Sequence, residues 1–181
     1  MINESTNFLT KEECDLIVSH SEDKFNKANT LGKNNDYRIA EGCWLKDDEL
    51  NIGDIRKKIS ELINLPLENL EAFHVVKYGV GGKYDVHYDY FQEGTEYYQE
   101  QMNRGGQRLK TALMYLNDDF EGGETFFPKF GLKISPVKGK LLSWDNVVNG
   151  KTNPFSSHAG LPVKSGFKYI AVIWAREKKF I

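Results

Sequence analysis

Apolar positions recur at helical spacing only in the first third of the chain. Cys14, Ile17, Val18 and Phe25 follow three- and four-residue steps, and Thr10-Lys11-Glu12-Glu13 ahead of them has the form of a capping box. This pattern predicts a helix near 11–27. The polar stretch 28–36 contains Gly32 and reads as a loop, with a short strand over 37–45. From Asp48 onward, Ile52, Ile55, Ile59, Leu62 and Ile63 mark a second amphipathic helix that ends before Pro66.

Beyond residue 70 the period changes. Residues 71–78 are rich in β-formers, and Gly79, Gly81 and Gly82 punctuate them. Further short strands are predicted over 109–116, over 125–127 after Gly122-Gly123, and over 132–134, 140–144, 155–160 and 167–176. Strands separated by Gly, Pro and Asn turns, with no βαβ alternation and no repeat, predict a mostly β (α+β) chain: a jelly-roll core with N-terminal helices packed on it. One domain is expected, with residues 1–69 as helical support and 70–177 as the core. The segment 91–107 has no clear period and reads equally as a solvated loop or a functional lid.

Composition narrows the function classes. Hydrophobic residues are 40% and charged residues 28% of the 181, which excludes a disordered chain. No apolar run approaches the roughly 20 residues that span a bilayer. A net charge of −2 gives no basic excess for nucleic acid, so neither a membrane nor a nucleic-acid partner is expected. Met1-Ile2-Asn3-Glu4-Ser5 lacks the form of a signal peptide and, if Met1 is the native start, predicts a cytoplasmic protein. Cys14 and Cys43 sit beside apolar residues and read as buried thiols, without disulfide or zinc-ribbon spacing.

Of the four histidines, His20 and His74 read as surface or satisfied core residues. His87 has Asp89 two residues on, which in a strand projects from the same face. That pair needs a third ligand, and His158 is the good candidate. Two histidines and one carboxylate make the facial triad of non-haem Fe(II), leaving three positions open, whereas a closed zinc site would want a fourth ligand. In 166–174, alternation places Lys168, Ile170, Val172 and Trp174 on one face and Tyr169, Ala171 and Ile173 on the other. Both faces are apolar, so the strand is expected to be central. Lys168 at its start either snorkels outward or holds the carboxylate of a bound acid.

The order His87-x-Asp89, His158 and Lys168 ten residues later resembles the iron- and 2-oxoglutarate-dependent dioxygenases. The text around it resembles their prolyl 4-hydroxylase branch: residues 78–89 as the metal-binding strand, 108–117, Gly122-Gly123-Glu124-Thr125-Phe126-Phe127-Pro128, and His158-Ala159-Gly160-Leu161-Pro162-Val163 with Gly166-Phe167-Lys168 and Trp174. The likeness runs from about 70 to 176. It implies a double-stranded β-helix and prolyl hydroxylation at carbon 4, with Fe(II), 2-oxoglutarate and O2 as cofactor and cosubstrates and ascorbate as reductant. It further implies that His87, Asp89 and His158 bind the metal and that Lys168, Tyr115 and Tyr78 reach 2-oxoglutarate. Tyr84, Arg108 and Trp174 would line a groove for a proline-containing peptide or protein. For the tyrosines, core packing with a satisfied hydroxyl is an equal reading. Gly122-Gly123-Glu124-Thr125 reads as a shaping turn rather than a catalytic element. Two alternatives stand beside this: the same chemistry on a free amino acid, another side chain or a small metabolite, and a non-catalytic metal- or peptide-binding β-barrel. The oligomeric state is left open.

Overall fold

In the computed structural model, which describes residues 1–27 and 36–181, the capping box forms as its sequence requires. Glu13 N–H donates to Thr10 Oγ1 at 3.1 Å and Thr10 N–H to Glu13 Oε2 at 2.8 Å, opening an α-helix over Lys11–Ser21. A cap of this kind contributes about 1 kcal/mol. The helix is shorter than its periodicity predicts. Glu22–Lys24 tightens into a 3-10 turn, and Asn26–Lys27 pairs as a strand with Glu41–Leu45. Phe25 still packs against the core, so the apolar pattern persists although the helix does not. The loop expected over 28–36 lies, Asp36 apart, outside the described residues.

The second helix spans Ile52–Ile63 and starts later than Asp48, because turns occupy the residues before it. It buries Ile52, Ile55, Ile59 and Ile63 and leaves Leu62 exposed; Asn64, with φ of 53°, ends it in the left-handed conformation. The single strand expected over 37–45 is two, Arg38–Ile39 and Glu41–Leu45, in different sheets, and the chain crosses between them at Ala40. The stretch 155–160 likewise divides into a 3-10 turn, Pro154–Ser156, and a strand, His158–Gly160.

Two antiparallel sheets form the jelly roll. The larger runs in the order Ile2–Ser5, Leu141–Asp145, Arg108–Tyr115, Lys168–Arg176, Phe73–Tyr78, Glu41–Leu45, Asn26–Lys27. The smaller runs Leu132–Ile134, Thr125–Phe127, His158–Gly160, Lys83–His87, Arg38–Ile39. The N-terminal third is therefore more than a helical support, since it supplies strands to both sheets.

Lys168–Arg176 is central, paired with Phe73–Tyr78 on one side and Arg108–Tyr115 on the other. Tyr169, Ala171 and Ile173 pack with Ile17, Ile55 and Ile59 of the helices. Ile170 and Val172, on the other face, pack with Tyr78, Tyr115 and Trp144 between the sheets. This inter-sheet layer is where the candidate site lies. Cys14 and Cys43 are buried free thiols, and burial pushes Cys14 up to about 11. No helix among the described residues is long and apolar enough to cross a membrane.

Candidate metal centre and its groove

His87 closes the Lys83–His87 strand, Asp89 follows in the bend just past it, and His158 opens the antiparallel neighbour directly opposite His87. Each of the three offers one ligand atom, and these lie within 4.8 Å of one another, all largely buried. His87 Nδ1 is 2.8 Å from Asp85 O, and His158 Nδ1 is 2.9 Å from Ser156 O. A carbonyl only accepts, so each Nδ1 carries the hydrogen, and in the neutral ring Nε2 turns an unprotonated lone pair to the centre. Those Nε2 atoms stand 3.7 Å and 3.6 Å from the Asp89 carboxylate, too far to hydrogen-bond to it. Burial pushes His87 down to about 3, and His158 beside it acts in the same direction, so the ring stays neutral at physiological pH. Burial opposes ionisation of Asp89, but the imidazoles, Arg108 and a hydrogen bond from Thr111 outweigh it and hold the carboxyl below its ordinary range. A buried carboxylate facing two neutral lone pairs at this separation fits one divalent cation with open positions.

Thr111 was not legible as part of this site. Its hydroxyl donates to Asp89 Oδ2 at 2.6 Å and accepts from Asn146 Nδ2 at 2.8 Å, and all three residues are buried. The chain Asn146–Thr111–Asp89 thereby fixes the carboxylate's orientation.

Lys168 points inward. It is 2% exposed, its Nζ donates to Gly123 O at 2.6 Å, and among the described residues no carboxylate makes an ion pair with it. Burial pushes it down to about 8, with Glu124 acting in the opposite direction. The rings of Tyr78 and Tyr115 lie 5.2 Å and 5.9 Å from Nζ. The Tyr115 hydroxyl is 2.7 Å from Thr125 Oγ1, so its hydrogen-bonding is already satisfied at one partner. The glycine turn, read from sequence as shaping alone, also touches this end directly. Gly123, at φ of 67°, supplies the carbonyl that Lys168 uses, and a Cβ there would stand 3.0 Å from Lys168 Cδ.

His87 and Asp89 sit where an inner chamber, lined also by His158 and Lys168, meets an outer groove of about 940 Å³. Tyr84, Arg108 and Trp174 all line that groove. Tyr84 stacks on His87 with centroids 3.5 Å apart, and the Arg38 guanidinium lies 4.8 Å from the Tyr84 ring. Arg108 lies 3.8 Å from the Trp174 ring while donating to both oxygens of Glu71 at 2.7 Å and 2.8 Å. Glu71 also accepts from the fully buried Arg176, which donates in turn to Gly106 O and Gln101 O. These two carbonyls belong to the 91–107 segment. That segment is not irregular throughout: it contains a helix, Tyr98–Gly105, and Gln107 closes its base by bonding Phe91 N and O. Gln92 and Tyr97 from it line the groove. His20 is a partly exposed helix residue beside Glu49, but His74 departs from its expected role. It is buried with Nδ1 lacking a partner, and it lines the groove.

The fold and this cluster define a class. A model of the 2OG-Fe(II) oxygenase superfamily matches residues 73–176, and the chain belongs to that superfamily. Its relatives lie in the prolyl 4-hydroxylase branch. Prolyl 4-hydroxylase 5 of Arabidopsis thaliana is 34% identical over 202 residues, covering 96% of this chain and 67% of that protein. The crystal structure of the viral collagen prolyl hydroxylase of Paramecium Bursaria Chlorella virus-1, a 2OG complex, superposes with a TM-score of 0.77 at 31% identity, covering 97% and 95% of the two chains. A prolyl hydroxylase of Trichoplax adhaerens, in complex with a hypoxia inducible factor peptide fragment, shares the fold at a TM-score of 0.71 and 18% identity, over 97% of this chain and 83% of that one. The chain is thus a 2-oxoglutarate-dependent dioxygenase, which sets aside the non-catalytic barrel.

Proposed function

We propose that this enzyme hydroxylates carbon 4 of prolyl residues in a peptide or protein, converting 2-oxoglutarate and O2 to succinate and CO2 as it does so. The groove carries this reading. It is lined by Tyr84, Arg108 and Trp174, opens beside His87 and Asp89, and at about 940 Å³ holds several residues of an extended peptide. A free amino acid would leave most of it empty.

His87, Asp89 and His158 would hold the ferrous ion, which when bound supplies the site where O2 and the 2-oxo acid react to generate the oxidant. The residues of this chain orient the reactants. Lys168, with no carboxylate ion pair among the described residues, would take the far carboxylate of 2-oxoglutarate as its counterion. Tyr78 and Tyr115 would wall that end, the Tyr115 hydroxyl being held by Thr125. Tyr84 would cover His87 and present its outer edge to the peptide, while Glu71 keeps Arg108 flat beside Trp174. Water exclusion follows from the buried position of every ligand atom.

The decisive experiment incubates the iron-loaded protein with 2-oxoglutarate and a panel of proline-containing peptides. Succinate release coupled to a peptide mass gain of one oxygen atom is the expected result. Succinate release with a free amino acid and with no peptide would favour the metabolite reading.

Thr111 permits a separate check on the centre. Thr111→Val removes the hydrogen bond to Asp89 at nearly constant volume and is expected to weaken Co(II) binding about tenfold, as losses of outer-shell partners do. Thr111→Ser is expected to bind Co(II) as the native protein does. Equal affinity in all three would remove Thr111 from the centre.

A further inference from the structure

We infer that Trp44 and His74 form a second peptide subsite, an aromatic ledge that receives a prolyl residue flanking the one to be modified. This rests on the peptide reading above and extends it to residues that neither the metal nor the cosubstrate uses.

The ledge follows from strand register. Trp44 lies directly opposite His74 on the neighbouring strand, and Trp174 stands on the next strand over. Cys43 and Leu45 turn into the helical core, so alternation sends Trp44 to the other face. The His74 ring stacks on Trp44 with centroids 4.2 Å apart and planes within 16°. Trp174 is 5.8 Å from His74 and 6.3 Å from Trp44. The row therefore leads from the catalytic groove, at Trp174, out to the sheet's flank at Trp44.

Two features mark it as a binding surface. Trp44 is 52% exposed, stacks on His74 with one face and lines the groove. Among the described residues His74 Nδ1 and Trp174 Nε1 are buried without a hydrogen-bond partner, and His74 is only 6% exposed. An indole N–H can only donate, and a buried donor left unpaired costs roughly 1–3 kcal/mol. Both atoms are shielded from solvent, so a carbonyl from a bound segment would relieve the unpaired donor only as the rings shift to admit it.

The chemistry of the row selects its occupant. Burial pushes His74 down to about 3, and Arg38 and Arg108 act in the same direction, so the ledge carries no charge at neutral pH. Flat uncharged rings with orphaned polar atoms match a polyproline II segment. Such a segment offers ring faces and carbonyl acceptors, lacks N–H donors at its prolines, and loses little entropy on binding. The 6.3 Å from Trp174 to Trp44 corresponds to about two residues of its roughly 3.1 Å rise. A peptide that lies against Trp174 therefore places a residue about two positions along the chain on Trp44.

The test compares a proline-rich decapeptide with a capped tripeptide containing one proline. Trp44→Ala is expected to raise the decapeptide KM about tenfold, the loss of one well-packed aromatic anchor. Its kcat, its tripeptide KM and its 2-oxoglutarate KM should stay within about twofold, and Trp44→Tyr should restore most of the decapeptide KM. His74→Phe, which keeps the stack and removes Nδ1, is expected to raise the decapeptide KM about threefold. Binding of the decapeptide to the Mn(II)- and 2-oxoglutarate-loaded protein, followed by fluorescence, supplies a readout independent of turnover. Wild type that binds the peptide more tightly than Trp44→Ala but inserts no oxygen would leave the ledge standing and sink prolyl hydroxylation. Hydroxylation with the same decapeptide KM in wild type and Trp44→Ala would overturn the ledge alone. Wild type that neither binds nor modifies the decapeptide would overturn both.

Discussion

His158→Ala is expected to lose ferrous binding by at least about 100-fold and to release no succinate, while melting close to the native temperature. The magnitude follows from the donor set. Among the described residues three ligand atoms converge on the centre, and even an outer-shell loss typically costs 10–100-fold in metal affinity. Removing the imidazole also leaves Asp89 buried opposite a single neutral ring, with Thr111 still bonded to its Oδ2. The fold has less to lose. The side chain makes one hydrogen bond, to Ser156 O, worth about 1 kcal/mol, and His158–Gly160 keeps its ladder with both neighbouring strands. Titration of the apoprotein with Mn(II), alongside a thermal melt and a succinate assay, checks all three parts. A variant that retained metal affinity and turnover would show that the three residues do not share one ion.

Lys168→Met is expected to raise the KM for 2-oxoglutarate about 100-fold with metal affinity unchanged, the equivalent of roughly 3 kcal/mol for stranding a buried charge. Methionine fills similar volume in the apolar surroundings of Ile170 and Tyr78, so the fold should gain rather than lose stability. The pH dependence has a definite sign. In the empty chamber the ammonium is depressed to about 8, and a bound carboxylate raises it again. Binding is therefore at full strength below pH 8 and weakens by up to tenfold per unit above it, until the raised value in the complex is passed. In Lys168→Met that alkaline loss should vanish. Isothermal titration with 2-oxoglutarate across pH 7 to 10 reads both effects; a native protein with flat affinity over that range would remove Lys168 from the acid's site.

The parts of this architecture that sequence reveals are those where local pattern and tertiary need coincide. The alternation from Lys168 to Trp174 sorted its side chains between the helical core and the site without error, because a central strand must satisfy both layers at once. His87 and Asp89 were legible through their spacing. Thr111, Asn146 and Glu71 were not, since each matters through partners far off in the chain, such as Thr111 through Asp89 and Glu71 through Arg176. Arg176, fully buried, looks in sequence like an ordinary polar residue ending a strand. One feature was available and passed over. Asn149-Gly150, both with positive φ, joins Val147–Val148 to Lys151–Thr152, a hairpin that Asn-Gly signals directly. The first helix ran too far in the reading because Phe25 kept an inward spacing that a short strand serves equally well.

Six residue steps along one paired strand lead from Lys168 to Trp174, which fixes their backbone positions about 20 Å apart at the usual extended rise. That strand works as a gauge inside the molecule: one neighbour pairs with it from Lys168 to Val172 and the other from Ile170 onward, so no loop motion alters the interval between Lys168 and Trp174. A one-residue slip would turn Lys168 toward the helices. A substitution at Trp44, two strands away, can thus reshape the flank of the groove while the spacing of Lys168 from Trp174 stays as the central strand sets it.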